Sequence, residues 1–330
     1  MAFSVRTRPI SPVVIAVDRT SARPALTLLA ICLGYFMTIL DASAVVVALP
    51  SIEHTFSTTV TGLQWVVDGY LVIFAGFLLT GGALGDRLGS RRVFLVGLTL
   101  FTAASAMCGA APSLTVLQAT RVIQGFGAAL MVPTSLALLR HSYAEPVQRA
   151  RMLGIWSGIA GTAAAAGPVI GALLITSLSW RSIFFLNVPV GIFAFFLVRR
   201  FVTPPPVDTQ RRLDLPAQVL AVAALVLLTT SFIEGGERGL STPILAAGVL
   251  ALVVAAIFVA VEHRQARPML PLGLFSSGAF SGGVAVGLLI NFAIFGEVFL
   301  MSLFFQQTRG YSVLMTGLAF LPQTVAIALV

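Results

Sequence analysis

The sequence predicts an all-α integral membrane protein of about ten transmembrane helices. Three observations carry that expectation. First, 58% of the 330 residues are hydrophobic and only 10% are charged, with a mean hydropathy of +0.99. A soluble domain carries about a quarter charged residues, so this chain cannot cover a water-facing surface. Second, the apolar residues fall into about ten runs, each near the ~20 residues that cross a bilayer as helix. Backbone groups in lipid must bond internally, which leaves helices as the spanning element at that run length. Third, the arginines alternate. Sixteen fall in every second connection and three in the others, with Arg121 inside a run.

Met1–Pro24 holds Arg6, Arg8, Arg19 and Arg23. It lacks the apolar segment and small-residue cleavage site of a signal peptide, so it reads as a disordered cytoplasmic tail. The expected spans follow: Ala25–Leu49, Thr61–Leu84, Val93–Ala110, Leu114–Leu138, Met152–Ser177 and Ile183–Val198. After them come Leu213–Ile233, Pro243–Val261, Phe280–Phe305 and Ser312–Val330. Positive residues stay inside, so the N-terminus is expected in the cytoplasm, in the cytoplasmic membrane. The net charge of +8 comes entirely from arginine among the basic residues. These arginines are scattered between apolar runs rather than gathered on one face, which excludes a nucleic-acid footprint. Cys32 and Cys108 lie inside apolar runs and read as packing residues, not as a disulfide or metal site.

The domain expectation follows from composition. Residues 25–200 form a six-helix bundle, and 201–212, with Pro204, Pro205 and Pro206, form a semi-rigid cytoplasmic linker. Residues 213–262 form a two-helix insert, and 263–330 begin a second bundle. A faint repeat supports that division. Phe36 precedes Asp41 by five residues, and Thr61-Gly62-Leu63 opens the second helix; Phe292 precedes Glu297 by five, and Thr316-Gly317-Leu318 opens the tenth. Parallel repeats of six helices mark one large transporter architecture. On that reading four helices of the second half are missing and the sequence is expected to be truncated.

Four ionisable residues fall inside spans: Asp41, Asp68, Arg121 and Glu297. A charge at the bilayer centre costs at least ~2.5–3.5 kcal/mol, so such residues line a cavity or pair. Their similar depth in the outer half predicts one polar chamber closed by helices of both halves. A carboxylate poised between burial and a nearby arginine can trade a proton for a cationic substrate. The alternatives are structural: a helix-joining ion pair, capping of a helix start by Asp68, and snorkelling of Glu297. The fifth helix carries Gly158, Gly161 and Gly167-Pro168-Val169-Ile170-Gly171. Small residues allow close helix contact and proline kinks a helix, so this face is expected to seal the interface between halves. Gln124-Gly125-Phe126-Gly127 follows no strand and is not a nucleotide loop. Tyr35, Phe36, Trp65, Phe126 and Phe292 are candidate cavity wall. His54, His141 and His263 fall in connections, and no nucleophile–base pair, metal site or cofactor site is evident; the chain is expected not to be an enzyme.

These residues resemble a known family. Gly82-x-Leu84-x-Asp86-Arg87-x-Gly89-x-Arg91-Arg92 is similar to the signature loop of the major facilitator superfamily. Leu40-Asp41-x-Ser43-x-Val45-Val46-x-Ala48-Leu49-Pro50 resembles the first-helix motif of its fourteen-spanner drug:proton antiporters. Arg121-x-x-Gln124-Gly125-x-Gly127-Ala128-Ala129, Gly167-Pro168-x-x-Gly171 and Trp180-Arg181…Phe184-Phe185-x-Asn187-Val188-Pro189 match further motifs of that group. Ser90 and Ala172 depart from the usual basic residue and second glycine. The resemblance implies proton-coupled export of drugs or toxic amphiphilic or cationic metabolites by alternating access. Asp41 and Arg121 would couple protons, and Asp68 and Glu297 would attract substrate. Gly82, Asp86, Arg87, Gly89, Arg91 and Arg92 would form a conformational latch, with Asp86 pairing to Arg87, Arg91 or a helix end of the opposite half. Partners are then lipid, protons and a small molecule. The alternative is a truncated, non-transporting scaffold or sensor.

Overall fold

The computed structural model describes residues 24–207, 214–239, 241–265, 268, 270–323 and 326. The arginines of the N-terminal tail, Arg211 and Arg212 of the linker, Arg267 and most of the end of the tenth run lie outside the described residues. Among the described residues every regular element is helical: α1 (Pro24–Phe56), α2 (Val60–Leu88), α3 (Ser90–Gly109), α4 (Leu114–Ser142), α5 (Pro146–Ser177), α6 (Arg181–Phe201), α7 (Leu215–Arg238), α8 (Thr242–Arg264), α9 (Gly278–Leu303) and α10 (Val313–Ala319). A 3-10 turn at Leu272–Ser276 and a π turn at Phe304–Thr308 flank α9; neither has a signal in the apolar pattern. Nine helices among the described residues are long and apolar enough to cross a membrane.

Side-chain caps set several starts. Thr59 accepts from Gly62 N, Ser113 from Val116 N, and Glu145 from Val147 N and Gln148 N. Such caps occupy amides that the first helical turn leaves without partners. Glu145 is exposed, and these two amides hold its carboxyl below the usual range. Gly89, at φ 96, reverses the chain between α2 and α3, a backbone region that side chains resist.

Contacts between helix ends show that successive helices run antiparallel. At one end, Tyr143 Oη donates to Pro24 O (2.6 Å) and Thr27 Oγ1 to Phe201 O (3.0 Å), while the Arg91 guanidinium donates to Arg199 O. At the other, Gln118 Nε2 donates to Gly62 O (3.0 Å), Arg181 Nη2 to Ala111 O (2.9 Å) and Trp180 Nε1 to Thr55 Oγ1 (3.0 Å). The first end is the arginine-rich one.

Helix α1 runs through the middle of this group, and most of its residues are buried. Small residues let the helices approach: a Cβ on Gly125 of α4 would lie 2.4 Å from Tyr70 O of α2. The apolar core has two layers. Met37, Phe94, Leu98, Phe101 and Met131 belong to one, nearer the arginine-rich end. Val45, Leu49, Leu63, Leu117, Trp180 and Phe184 belong to the other.

Helices α7 and α8 pair with each other, and α7 leans on α2. Buried Gln218 is the anchor. Its Nε2 donates to Gly76 O (2.7 Å) and its Oε1 accepts from Thr80. Glu262, at the end of α8, is 1% exposed and accepts from Leu270 N (2.8 Å). Its place near a run end gave no sign of burial in the sequence.

Candidate functional site

Between the two apolar layers lies a polar one. Arg121 of α4 and Asp41 of α1 are each 1% exposed, and Nη1 reaches Oδ2 at 2.5 Å. The same Nη1 donates to Gln124 Oε1 (2.7 Å), and Nε donates to Val66 O of α2 (3.0 Å). Asp41 Oδ1 accepts from Gln124 Nε2 (3.0 Å) and from Asn187 Nδ2 of α6 (2.9 Å). Both amides also donate to Ser105 Oγ of α3, at 2.8 and 3.3 Å. The Tyr70 ring lies 4.2 Å from the guanidinium carbon, close enough for cation–π attraction. Five helices thus converge on one ion pair, and both carboxylate oxygens accept bonds. A charge pair this deep is tolerated only when nearly every donor and acceptor is used.

The chamber differs from the expected one. Only Asp41 and Arg121 meet, and their cage is built from α1, α2, α3, α4 and α6 rather than from both halves. Asp68 stands apart, half-buried, with no hydrogen bond or ion pair among the described residues. It does not cap α2, which starts eight residues earlier at Val60 under Thr59. Glu297 is exposed and accepts from Gln323 Nε2 (2.9 Å). Tyr35 stacks on Trp156 at 3.9 Å, Phe126 packs edge-on against Phe77 and Phe292 is 81% exposed; the three rings have no shared neighbour in those contacts. Gln124 and Asn187 stood in the sequence motifs without a role, and Ser105 and Tyr70 carried none. A polar side chain within an apolar span is the signal that marks them. Cys108 is free and buried, its Sγ 3.1 Å from Thr120 Oγ1 beside the cage.

A second constellation joins α9 and α10 to α1 and α5. Pro50 has no N–H, so α1 leaves Val46 O without its helical donor. Ser302 Oγ of α9 donates to that carbonyl (3.2 Å). Gln306 Nε2 reaches Val47 O (3.5 Å), and Gln307 Nε2 donates to Glu53 Oε2 (2.8 Å). The α5 motif supplies close contact. A Cβ on Gly167 would lie 1.8 Å from Ser43 Oγ, and one on Gly317 of α10 would lie 2.8 Å from Pro168 O. All these contacts sit toward the arginine-poor end. Toward the other end, Gly154, Gly158 and Gly161 of α5 and Gly278, Gly282, Gly283 and Gly287 of α9 have open space where a side chain would stand. In the Gly82–Arg92 loop, Gly82 and Asp86 are half-buried, Arg87 and Arg92 are exposed, and Arg91 turns to the end of α6.

Apolar helices of spanning length around a caged ion pair define a multi-pass membrane protein. The family model for the Major Facilitator Superfamily matches residues 31–330, and the chain belongs to that family. The chain is therefore not an enzyme. It is 39% identical over 297 residues to a methylenomycin A resistance protein of Streptomyces coelicolor, covering 90% of this chain and 62% of that one. It is 40% identical over 306 residues to the multidrug resistance protein Stp of Mycobacterium tuberculosis, covering 92% and 57%. The chain thus spans about three-fifths of the length of these relatives. In fold it is similar to the human organic anion transporter MFSD10, with a TM-score of 0.58, 17% identity, and coverage of 92% of this chain and 70% of that one.

Proposed function

We propose that the protein is a proton-coupled antiporter of the fourteen-spanner group that exports toxic amphiphilic or cationic compounds across the cytoplasmic membrane. The resistance and multidrug names of its relatives support drug export. The buried Asp41–Arg121 pair carries the coupling. A proton on Asp41 removes an acceptor from Arg121 and rearranges a cage tied to five helices. The N-terminus lies in the cytoplasm, as the arginine asymmetry favours. Residues 25–200 act as one bundle, 201–212 as linker, 213–262 as insert and 263–330 as the start of the second bundle.

In that orientation the contacts between bundles close the outer end and leave the inner end apart. Rocking about this contact exposes a central site to each side in turn. Gly167, Pro168 and Gly171 form the outer seal, and Asp86 with its arginines latches the opposite state. Asp68, Glu297, Tyr35, Phe126 and Phe292 belong to the substrate path.

The test is efflux of a panel of toxic cations and amphiphiles from cells expressing the protein, with and without a proton gradient. We expect Asp41→Asn to abolish gradient-driven efflux while membrane insertion is kept. Wild-type efflux by that variant would sink the coupling role. Absence of efflux by the wild type would leave a scaffold or sensor. Asp86→Asn should likewise stop transport but not insertion, and normal efflux would rule out the latch.

A further inference from the structure

Another site lies on the lateral wall of the molecule, along the seam between α3 and α6. At the arginine-rich end, Arg91, Arg92 and Arg199 line a cavity of about 720 Å³ beside Pro204, Pro205 and Pro206. Among the described residues that line it, none is acidic. The positive end of α3 opens here: Gly89 is its cap, and among the described residues no side chain caps the first amides. Arg91 Nη2 is used by Arg199 O, but its buried Nε has no acceptor among the described residues.

The same seam continues into a second cavity of about 410 Å³, lined by Leu98, Ala103, Val188, Ile192 and Phe195 among others. Its lining carries no charge and is mostly apolar, with Thr99 and Thr102 as its polar side chains. Thr99, on its wall, already gives its hydroxyl to Leu95 O (2.9 Å). Leu95 lines the basic cavity, and Leu98 opens the apolar one. On α6, Arg199 follows Phe196 by less than one turn. From Leu98 to Ala106 the helix rises about 12 Å, so the groove runs from the membrane interface into the hydrocarbon region.

We propose that this seam binds an anionic glycerophospholipid. The phosphate sits among Arg91, Arg92 and Arg199 at the start of α3, and one acyl chain lies in the groove between α3 and α6. Guanidinium groups match phosphate oxygens in geometry as well as charge. The polarity order selects the ligand. A free phosphate uses only the basic cavity, and a neutral hydrophobe uses only the groove. The lipid spans both. The site lies outside the ion-pair cage and does not depend on transport.

The test uses purified protein in neutral detergent, reading melting temperature and, by native mass spectrometry, bound lipid. The probes are phosphatidylglycerol, phosphatidylcholine with the same chains, and glycerol 3-phosphate. Phosphatidylglycerol should raise the melting temperature saturably and remain bound at one copy; the other two should do neither. Arg92→Ala with Arg199→Ala, at exposed positions, should weaken binding by about tenfold or more. Ala103→Phe, also exposed, fills the groove while keeping every arginine and should weaken it similarly. Equal effects of phosphatidylcholine would show ordinary lipid contact and overturn the proposal. A full effect of glycerol 3-phosphate would reduce the site to an anion patch. Unchanged binding by either variant would also overturn it.

Discussion

Asp41 and Glu297 occupy matching places in the two halves of the sequence repeat, yet their surroundings are opposites. Asp41 is 1% exposed and accepts bonds from Arg121, Gln124 and Asn187. Glu297 is exposed and has Gln323. The following Thr-Gly-Leu segments also diverge. Gly62 takes Gln118 of α4 on its carbonyl, whereas Gly317 presses on the kinked face of α5. The lesson is that a repeated motif sets which residues are available. What each does depends on how many helices close around it.

The comparison breaks most visibly at Arg121. Arg121→Ala leaves a carboxylate buried without its partner and should cost about 3–5 kcal/mol, read as lost thermal stability in detergent. Glu297→Gln should leave stability almost unchanged, because an exposed pair contributes little. Similar losses for both would erase the contrast. Next in size is Gly317→Leu. The branched side chain must push Pro168 and Ala172 away, an overpacking of about 1–3 kcal/mol. Cross-linking between cysteines placed on α5 and α10 should fall, while the Asp41 cage stays intact. Ser302→Ala should cost about 1 kcal/mol, since Val46 O then loses its donor; unchanged stability would show that the proline-freed carbonyl needs no partner.

The smallest effect belongs to a third acid, Glu145. Its carboxyl is held low by the amides of Val147 and Gln148. A depressed folded-state pKa gives stability that is present above the usual glutamate range and is lost as pH falls through the folded value. The melting-temperature gap between wild type and Glu145→Ala should therefore be small at neutral pH and shrink in acid. A gap that widened in acid would contradict the sign.

Much of the molecule was legible along the chain. Spans are readable because bilayer thickness dictates the length of each apolar run: both expected ends of α3 fall within three residues of those observed, and α4 starts at Leu114 as expected but runs on from Leu138 to Ser142. The ion pair was half legible: Asp41 and Arg121 stand out as charges in apolar runs, but Ser105 and Asn187 look ordinary until three helices bring them together. Asp68 shows the converse. Its charge suggested a shared chamber or a cap, and α2 gives it neither.

By itself, the sequence determined the membrane class, the order and number of the runs, and the residues able to carry chemistry at depth. Solvent is the reason: water and lipid act on each segment separately, so composition and period suffice. Only the tertiary structure decided which charges pair, that Ser302 answers the carbonyl Pro50 leaves open, and that α5 and α10 close at one end. Those outcomes depend on the directions of hydrogen bonds and on a few ångströms of space between helices far apart in sequence, which no local pattern encodes.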